Sequence, residues 1–76
     1  MEDRNIIGKR IREIREQKKI TQDQLAARLN TQGVSIDRPM ISRIEGQTRY
    51  LLDYEIYSIA KALGVSIEEL FIDNKV

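Results

Sequence analysis

The chain has 76 residues, a formal net charge of +1, and neither cysteine nor histidine. This length predicts one domain, residues 1–76 with its core at about residues 6–71, because so short a chain builds only one hydrophobic core. The missing residue types exclude disulfides, a thiol nucleophile and zinc thiolates, and they remove the commonest general base. No apolar run nears the roughly 20 residues that cross a bilayer, and the charged start lacks the apolar segment of a signal peptide. We therefore expect a cytoplasmic protein that does not contact membranes.

Two amphipathic helices are predicted at the start of the chain. The first is predicted over residues 5–18, where an apolar stripe at helical spacing comprises Ile7, Ile11 and Ile14. The second follows Thr21 and runs to about Asn30. Thr21 suits an N-cap because Gln24 lies three residues on and can close a capping box.

A third short helix is predicted from about Asp37 to Glu45, with Asp37 or Arg38 as its cap. Pro39 is tolerated there because it falls in the first turn, where its missing N–H group leaves no bond unmade. Three apolar residues lie close to one face and are expected to anchor the helix in the core: Met40, Ile41 and Ile44.

The remaining sequence predicts two more helices. Asp53 is the expected N-cap of the fourth helix, and Gly64 suits a left-handed stop at its end. Ser66 and Glu69 have the spacing of a capping box that starts the fifth. Residues 73–76 are expected to fray. The predicted fold class is all-α, a compact five-helix domain that contains a helix-turn-helix.

Catalysis and metal binding find little support in this composition. The carboxylates lie mostly at exposed helix positions, where acidic side chains ordinarily serve only to carry a solvated charge. The four glycines are scattered rather than gathered into a phosphate-binding loop, and no EF-hand spacing occurs. We expect no enzymatic activity, no metal ion and no cofactor.

Charge is unevenly distributed along the chain. Residues 1–50 carry 11 Lys and Arg against 7 Asp and Glu, a balance of +4, whereas residues 51–76 carry 2 against 5, a balance of −3. The arginines of the third helix, Arg38 and Arg43, fit the guanine O6 and N7 atoms or a phosphate. Gln22, at the start of the second helix, can reach a phosphate beside the N–H groups there. The residues alone leave a second interpretation equally open, in which these are ordinary surface side chains.

Three segments in combination resemble the lambda-repressor-like (Cro/Xre-type) helix-turn-helix family: IGKRIREIREQKKITQDQLAARL, then ISRIEG, then YEIYSIAKALGVSIEELF. The resemblance covers about residues 6–71. It implies the five-helix DNA-binding domain of that family, with Asp37 to Glu45 as the recognition helix in the major groove.

The resemblance also implies roles for particular residues. An ion pair between Arg15 and Glu45 would join the first helix to the end of the third, and we expect it to be partly buried. Four residues match positions that face base edges: Arg38, Pro39, Ser42 and Arg43. Five match positions that meet the DNA backbone: Thr21, Gln22, Gln47, Thr48 and Arg49.

The chain departs from the family pattern in three places, of which one is the segment EGQTR, where the glycine of the loop after the third helix is shifted. The turn between the second and third helices is about six residues long, at 31–36, where three or four are usual. In this it resembles a subset of the family with a lengthened turn. Pro39 occupies a position where a hydrogen-bonding side chain often reads a base. Proline can contact a thymine methyl group, but it cannot donate a hydrogen bond to a base.

These observations predict a sequence-specific transcriptional regulator, a repressor, which binds double-stranded DNA. One motif in so small a chain predicts a homodimer on a two-fold symmetric operator. A regulatory protein partner is left open. The alternative is a protein-interaction module of the same fold, such as an antitoxin-like accessory subunit.

Overall fold

The computed structural model describes residues 2–72, and this part of the chain contains helices and no strand. The all-α prediction is confirmed. The expected fraying of residues 73–76 lies outside the described residues. The helices, in chain order, are α1 (Gly8–Gln17), α2 (Gln22–Thr31), α3 (Arg38–Glu45), α4 (Asp53–Leu63) and α5 (Ile67–Leu70).

Most helix boundaries follow from the predicted capping residues. The Thr21 hydroxyl accepts from the Gln24 N–H group at 3.0 Å, and Gln24 Oε1 accepts from the Thr21 N–H group at 2.8 Å. Ser66 and Glu69 form the same reciprocal pair before α5. Asp37 caps α3, because its Oδ1 accepts from the Met40 N–H group at 2.9 Å. Six residues, 32–37, therefore separate α2 from α3.

Two predicted helix starts were wrong. The first helix begins at Gly8 rather than at residue 5, because the Asn5 side chain accepts from the Gly8 N–H group at 2.7 Å and residues 5–7 stay outside the helix. Leu52 rather than Asp53 is the N-cap of α4. Its N–H group donates to Glu55 Oε1 at 2.9 Å, so a carboxylate in the first turn supplies the cap.

One hydrophobic cluster includes residues of all five helices. Ile41 and Ile44 of α3 are each 1% exposed, and Met40 packs against the cluster from its edge. Burying an aliphatic side chain of this size stabilises the fold by about 1.5–3 kcal/mol. The predicted inner face of α3 therefore fixes this helix to the rest of the protein.

The start of α1 lies directly against the end of α3. A Cβ atom at Gly8 would overlap the carbonyl oxygen of Ile44, so only glycine permits this approach. This approach brings the segment before α1 beside the loop that follows α3.

Candidate nucleic-acid interface

The outer face of α3 is polar and exposed. Four side chains lie on it: Arg38, Pro39, Ser42 and Arg43. Within residues 2–72 the guanidinium groups of Arg38 and Arg43 form no salt bridge. Both cations therefore keep their five N–H donors for a ligand.

Beneath this face, a buried ion pair joins α1 to the last turn of α3. Arg15 Nε lies 2.7 Å from Glu45 Oε2, and Arg15 Nη2 lies 3.1 Å from Glu45 Oε1. Arg15 Nη1 also donates to the Ile20 carbonyl at 2.8 Å. The two side chains are 10% and 4% exposed. The hydrogen bond to Glu45 raises the pKa of Arg15 above its ordinary value.

The same carboxylate orients the first side chain of α2. Gln22 Nε2 donates to Glu45 Oε1 at 3.1 Å, and Gln22 is half-buried. Its amide is thereby held beside the exposed face of α3. Thr21 is exposed next to it, and its hydroxyl serves as the cap of α2.

A polar depression opens between α1, α2 and α3. It is lined by Arg12, Arg15, Gln22, Ser42, Glu45 and Gly46. Arg12 was not among the predicted site residues; it pairs with Glu16 at 3.3 Å and its side chain is 63% exposed. Its position three residues before Arg15 was the available signal, because side chains three apart lie on the same side of a helix.

The loop after α3, Gln47–Arg49, is bonded extensively within the protein. Thr48 is exposed, and its hydroxyl donates to the Arg43 carbonyl at 3.2 Å. Gln47 Nε2 donates to the Asn5 carbonyl at 3.1 Å. The Arg49 guanidinium faces inward, with Nη1 3.2 Å from Glu55 Oε1 and Nη2 3.1 Å from Glu55 Oε2.

The pairing of Arg49 with Glu55 gives Arg49 a structural role that the sequence did not predict. The Glu55 side chain is 5% exposed and that of Arg49 is 24% exposed. Burial by itself raises the pKa of Glu55. The hydrogen bonds from Arg49 and from the Leu52 N–H group, with the charge of Arg49, outweigh burial and hold that pKa below its ordinary value.

The structure thus brings Gln22 of α2 and Ser42 of α3 to one depression, and the other predicted base-facing residues are exposed on the same helix as Ser42. No helix in residues 2–72 is long and apolar enough to cross a membrane. The described part of the chain also contains no group of three or more acidic side chains that could hold a metal ion.

Comparison with known proteins identifies the family and a similar fold. The family model HTH_3, described as helix-turn-helix, matches residues 11–70. The fold is similar to the crystal structure of the restriction-modification controller protein C.AhdI from Aeromonas hydrophila. The two share 32% sequence identity and a TM-score of 0.74, over 86% of this chain and 87% of that one. Comparison with curated proteins gives no match. The chain therefore belongs to the Cro/C1-type helix-turn-helix family of non-enzymatic, DNA-binding transcriptional regulators.

Proposed function

We propose that residues 1–76 act as one domain that binds double-stranded DNA sequence-specifically and represses transcription in the cytoplasm. The observation that carries this proposal is the two-sided character of α3. Its inner face is fixed by Ile41 and Ile44, while Arg38 and Arg43 on its outer face have no salt-bridge partner within residues 2–72. A helix of this kind, Asp37 to Glu45, fits the major groove.

The proposed base contacts follow from the chemistry of each side chain. Arg38 lies in the first turn of α3 and takes the larger share of readout, donating to guanine O6 and N7. Arg43, further along the helix, reads a second base or binds a phosphate. Ser42 donates or accepts one hydrogen bond, and Pro39 touches a thymine methyl group.

The proposed backbone contacts fix the register of α3 on the duplex. Gln22 meets a phosphate with the N–H groups at the start of α2, where the helix dipole favours an anion. Arg49 contributes while it remains paired with Glu55, so we expect less from it than from an unpaired arginine. The full set of proposed backbone contacts is Thr21, Gln22, Gln47, Thr48 and Arg49.

We also propose that two copies bind a two-fold symmetric operator as a homodimer. Exposed large hydrophobic side chains mark contact surfaces, and in residues 2–72 none of them lies on α2 or α3. They are Ile6, Tyr50, Leu52, Tyr54, Tyr57, Ile67, Phe71 and Ile72. Ile6 and Phe71 line one shallow depression together with Leu51 and Ile56. A second copy packed on this surface leaves both α3 helices exposed to DNA.

The likeness to C.AhdI favours a particular regulatory role for this DNA binding. That protein is a restriction-modification controller and shares 32% identity with this chain. We propose that the present protein likewise controls genes of a restriction-modification system. Its selected operator would then be found next to such genes.

The test is selection of operators from random duplexes, followed by affinity measurements across a salt series. DNA binding through Z phosphates gives a log–log slope near −0.9Z. The rival function, a protein-interaction or antitoxin-like module of the same fold, predicts no enriched sequence and little salt dependence. Sedimentation with and without the selected operator shows whether two copies assemble on it.

A further inference from the structure

The segment before α1 is bonded to the loop after α3. The Asn5 side-chain amide donates to two carbonyl oxygens, of Ile44 at 3.0 Å and of Arg49 at 2.9 Å. Its Oδ1 accepts from the Gly8 N–H group at 2.7 Å. One side chain, with both donors and its acceptor engaged, thus joins the start of α1 to the last turn of α3 and to the end of this loop.

Main-chain groups extend this connection. The Arg4 N–H group donates to the Gln47 carbonyl at 2.9 Å, and Gln47 Nε2 donates back to the Asn5 carbonyl at 3.1 Å. The Arg4 guanidinium carbon lies 5.4 Å from the centroid of the Tyr50 ring, within range of a cation–π contact. We call residues 4–5, with these bonds, the N-terminal brace.

The first residue of the loop has a left-handed backbone conformation. Gln47 has a φ of 62°, in the left-handed region that residues other than glycine rarely adopt. The end of α3 holds this conformation as an ordinary helix C-terminus does, because the Gln47 N–H group donates to the Ile44 carbonyl at 3.0 Å and the Thr48 N–H group to the Arg43 carbonyl at 2.9 Å. The brace binds Gln47 through both its carbonyl group and its side chain.

The brace also changes which polar groups the loop offers to DNA. A carbonyl oxygen repels a phosphate, and the carbonyl groups of Gln47 and Arg49 each accept a hydrogen bond from the brace. In the region described, residues 2–72, the N–H groups of Arg49 and Tyr50 meet no acceptor. Such free backbone N–H groups can donate to phosphate oxygens.

We propose that the N-terminal brace positions this loop against the DNA backbone, with Asn5 as the positioning residue. The proposal rests on the proposed DNA-binding function. Asn5 itself need not contact DNA, since its effect passes through the conformation of Gln47–Arg49.

The test is the neutral substitution Asn5→Ser. Serine keeps an oxygen that can accept from the Gly8 N–H group, but it is too short to donate to both carbonyls, and it introduces no charge that would alter DNA binding. We expect equal weakening on the operator and on an unrelated duplex. The salt slope should fall in magnitude by up to about 0.9, because Arg49 is the cation of this loop and only cationic contacts release counterions, and base preferences should be unchanged.

Gln32→Ser is the matched control. Gln32 Nε2 donates to the Ser58 carbonyl at 2.9 Å, so this variant also removes a side-chain amide bound to a distant carbonyl, but between α2 and α4. Its salt slope should equal the parent's. An Asn5→Ser slope equal to that of parent and control would overturn the proposal, as would a loss of preference at a single base pair.

A second pair of variants separates positioning from stability. Glycine at position 47 relieves the backbone strain, so Gln47→Gly should restore the melting temperature of Asn5→Ser without rebuilding the brace. The double variant should still have a smaller salt slope than Gln47→Gly alone, and equal slopes would overturn the proposal. The parent protein is measured before the variants. If it shows no salt-dependent binding to any duplex, the proposed DNA-binding function is wrong, and this result is distinct from a failure of the brace proposal.

Discussion

Arg38 and Arg49 lie close to the two ends of the candidate interface and have opposite environments. Arg38, on the outer face of α3, is exposed and has no salt-bridge partner within residues 2–72. Arg49, in the following loop, binds the carboxylate of Glu55 through both of its terminal nitrogens. The same residue type is available to a ligand in one region and engaged by the fold in the other.

The difference arises from what lies underneath each arginine. Arg49 lies over Glu55, in the first turn of α4, whose side chain is 5% exposed. A buried anion without a partner costs several kcal/mol of folding free energy. Beneath the outer face of α3 the buried carboxylate of Glu45 is already paired with Arg15, so it needs no partner from Arg38. Substitutions at the candidate interface should therefore fall into two groups. One group lowers only the affinity for DNA, and the other lowers the free energy of unfolding.

The largest effect is expected beneath α3, at Glu45. Glu45→Ala leaves Arg15 charged and 10% exposed, and frees the Gln22 amide. We expect a loss of about 3–5 kcal/mol in the free energy of unfolding, as for other broken buried pairs. Chemical denaturation measures it, and an unchanged midpoint would show that the pair is not structural. The double variant Arg15→Met/Glu45→Leu should be much closer to the parent, because it leaves no unpaired charge.

A smaller loss of stability is expected for Arg49→Ala. It leaves the Glu55 carboxylate buried with only the Leu52 N–H group as donor. Because Arg49 is 24% exposed, water can partly replace it, and we expect about 2–3 kcal/mol. Arg38→Ala is the control and should stay within about 0.5 kcal/mol of the parent. Equal midpoints for the two variants would remove the distinction between the regions.

DNA binding should show the reverse order. At temperatures where both variants are folded, Arg38→Ala should lose about 1–3 kcal/mol on the preferred operator and relax preference at one base pair. Arg49→Ala should weaken all sequences by a similar factor. A panel of single-base operator changes measures both. If Arg38→Ala and Arg43→Ala each keep the parent's affinity and ranking, α3 is not the reader and the protein-interaction alternative gains support.

Local sequence patterns predicted what depends on neighbouring residues. The Thr21–Gln24 capping box, the Gly64 stop and the buried face of α3 are all set within a few positions. The bond from the Gly8 N–H group to Asn5 that sets the start of α1 is local, but the same Asn5 side chain also bonds to Ile44 and Arg49, some 40 residues away. No periodicity or propensity carries that information.

The pairing of Glu55 was missed for a related reason. In sequence it reads as an ordinary acidic residue in the first turn of a helix, where the dipole alone would explain it. Only the tertiary position of Arg49 shows that the carboxylate is buried and paired. Arg15 and Glu45, by contrast, were identified through the family resemblance, since spacing alone does not connect residues on α1 and α3.

The smallest expected effect is a dependence of stability on acid that originates at Glu55. Its pKa is lowered in the folded protein, so its contribution to stability is complete above the unfolded pKa of about 4.3 and disappears as pH falls through the folded value. Denaturation midpoints of the parent should therefore decline on going from about pH 5 toward pH 3. Glu55→Gln, which cannot ionise, should lower stability at neutral pH and decline less over that range. Arg49→Ala should flatten the curve in the same way, because the arginine that lowers the pKa of Glu55 is gone. If both variants lose stability in parallel with the parent, the pair does not contribute to acid sensitivity, and Glu55 resembles the solvated carboxylates elsewhere on the surface.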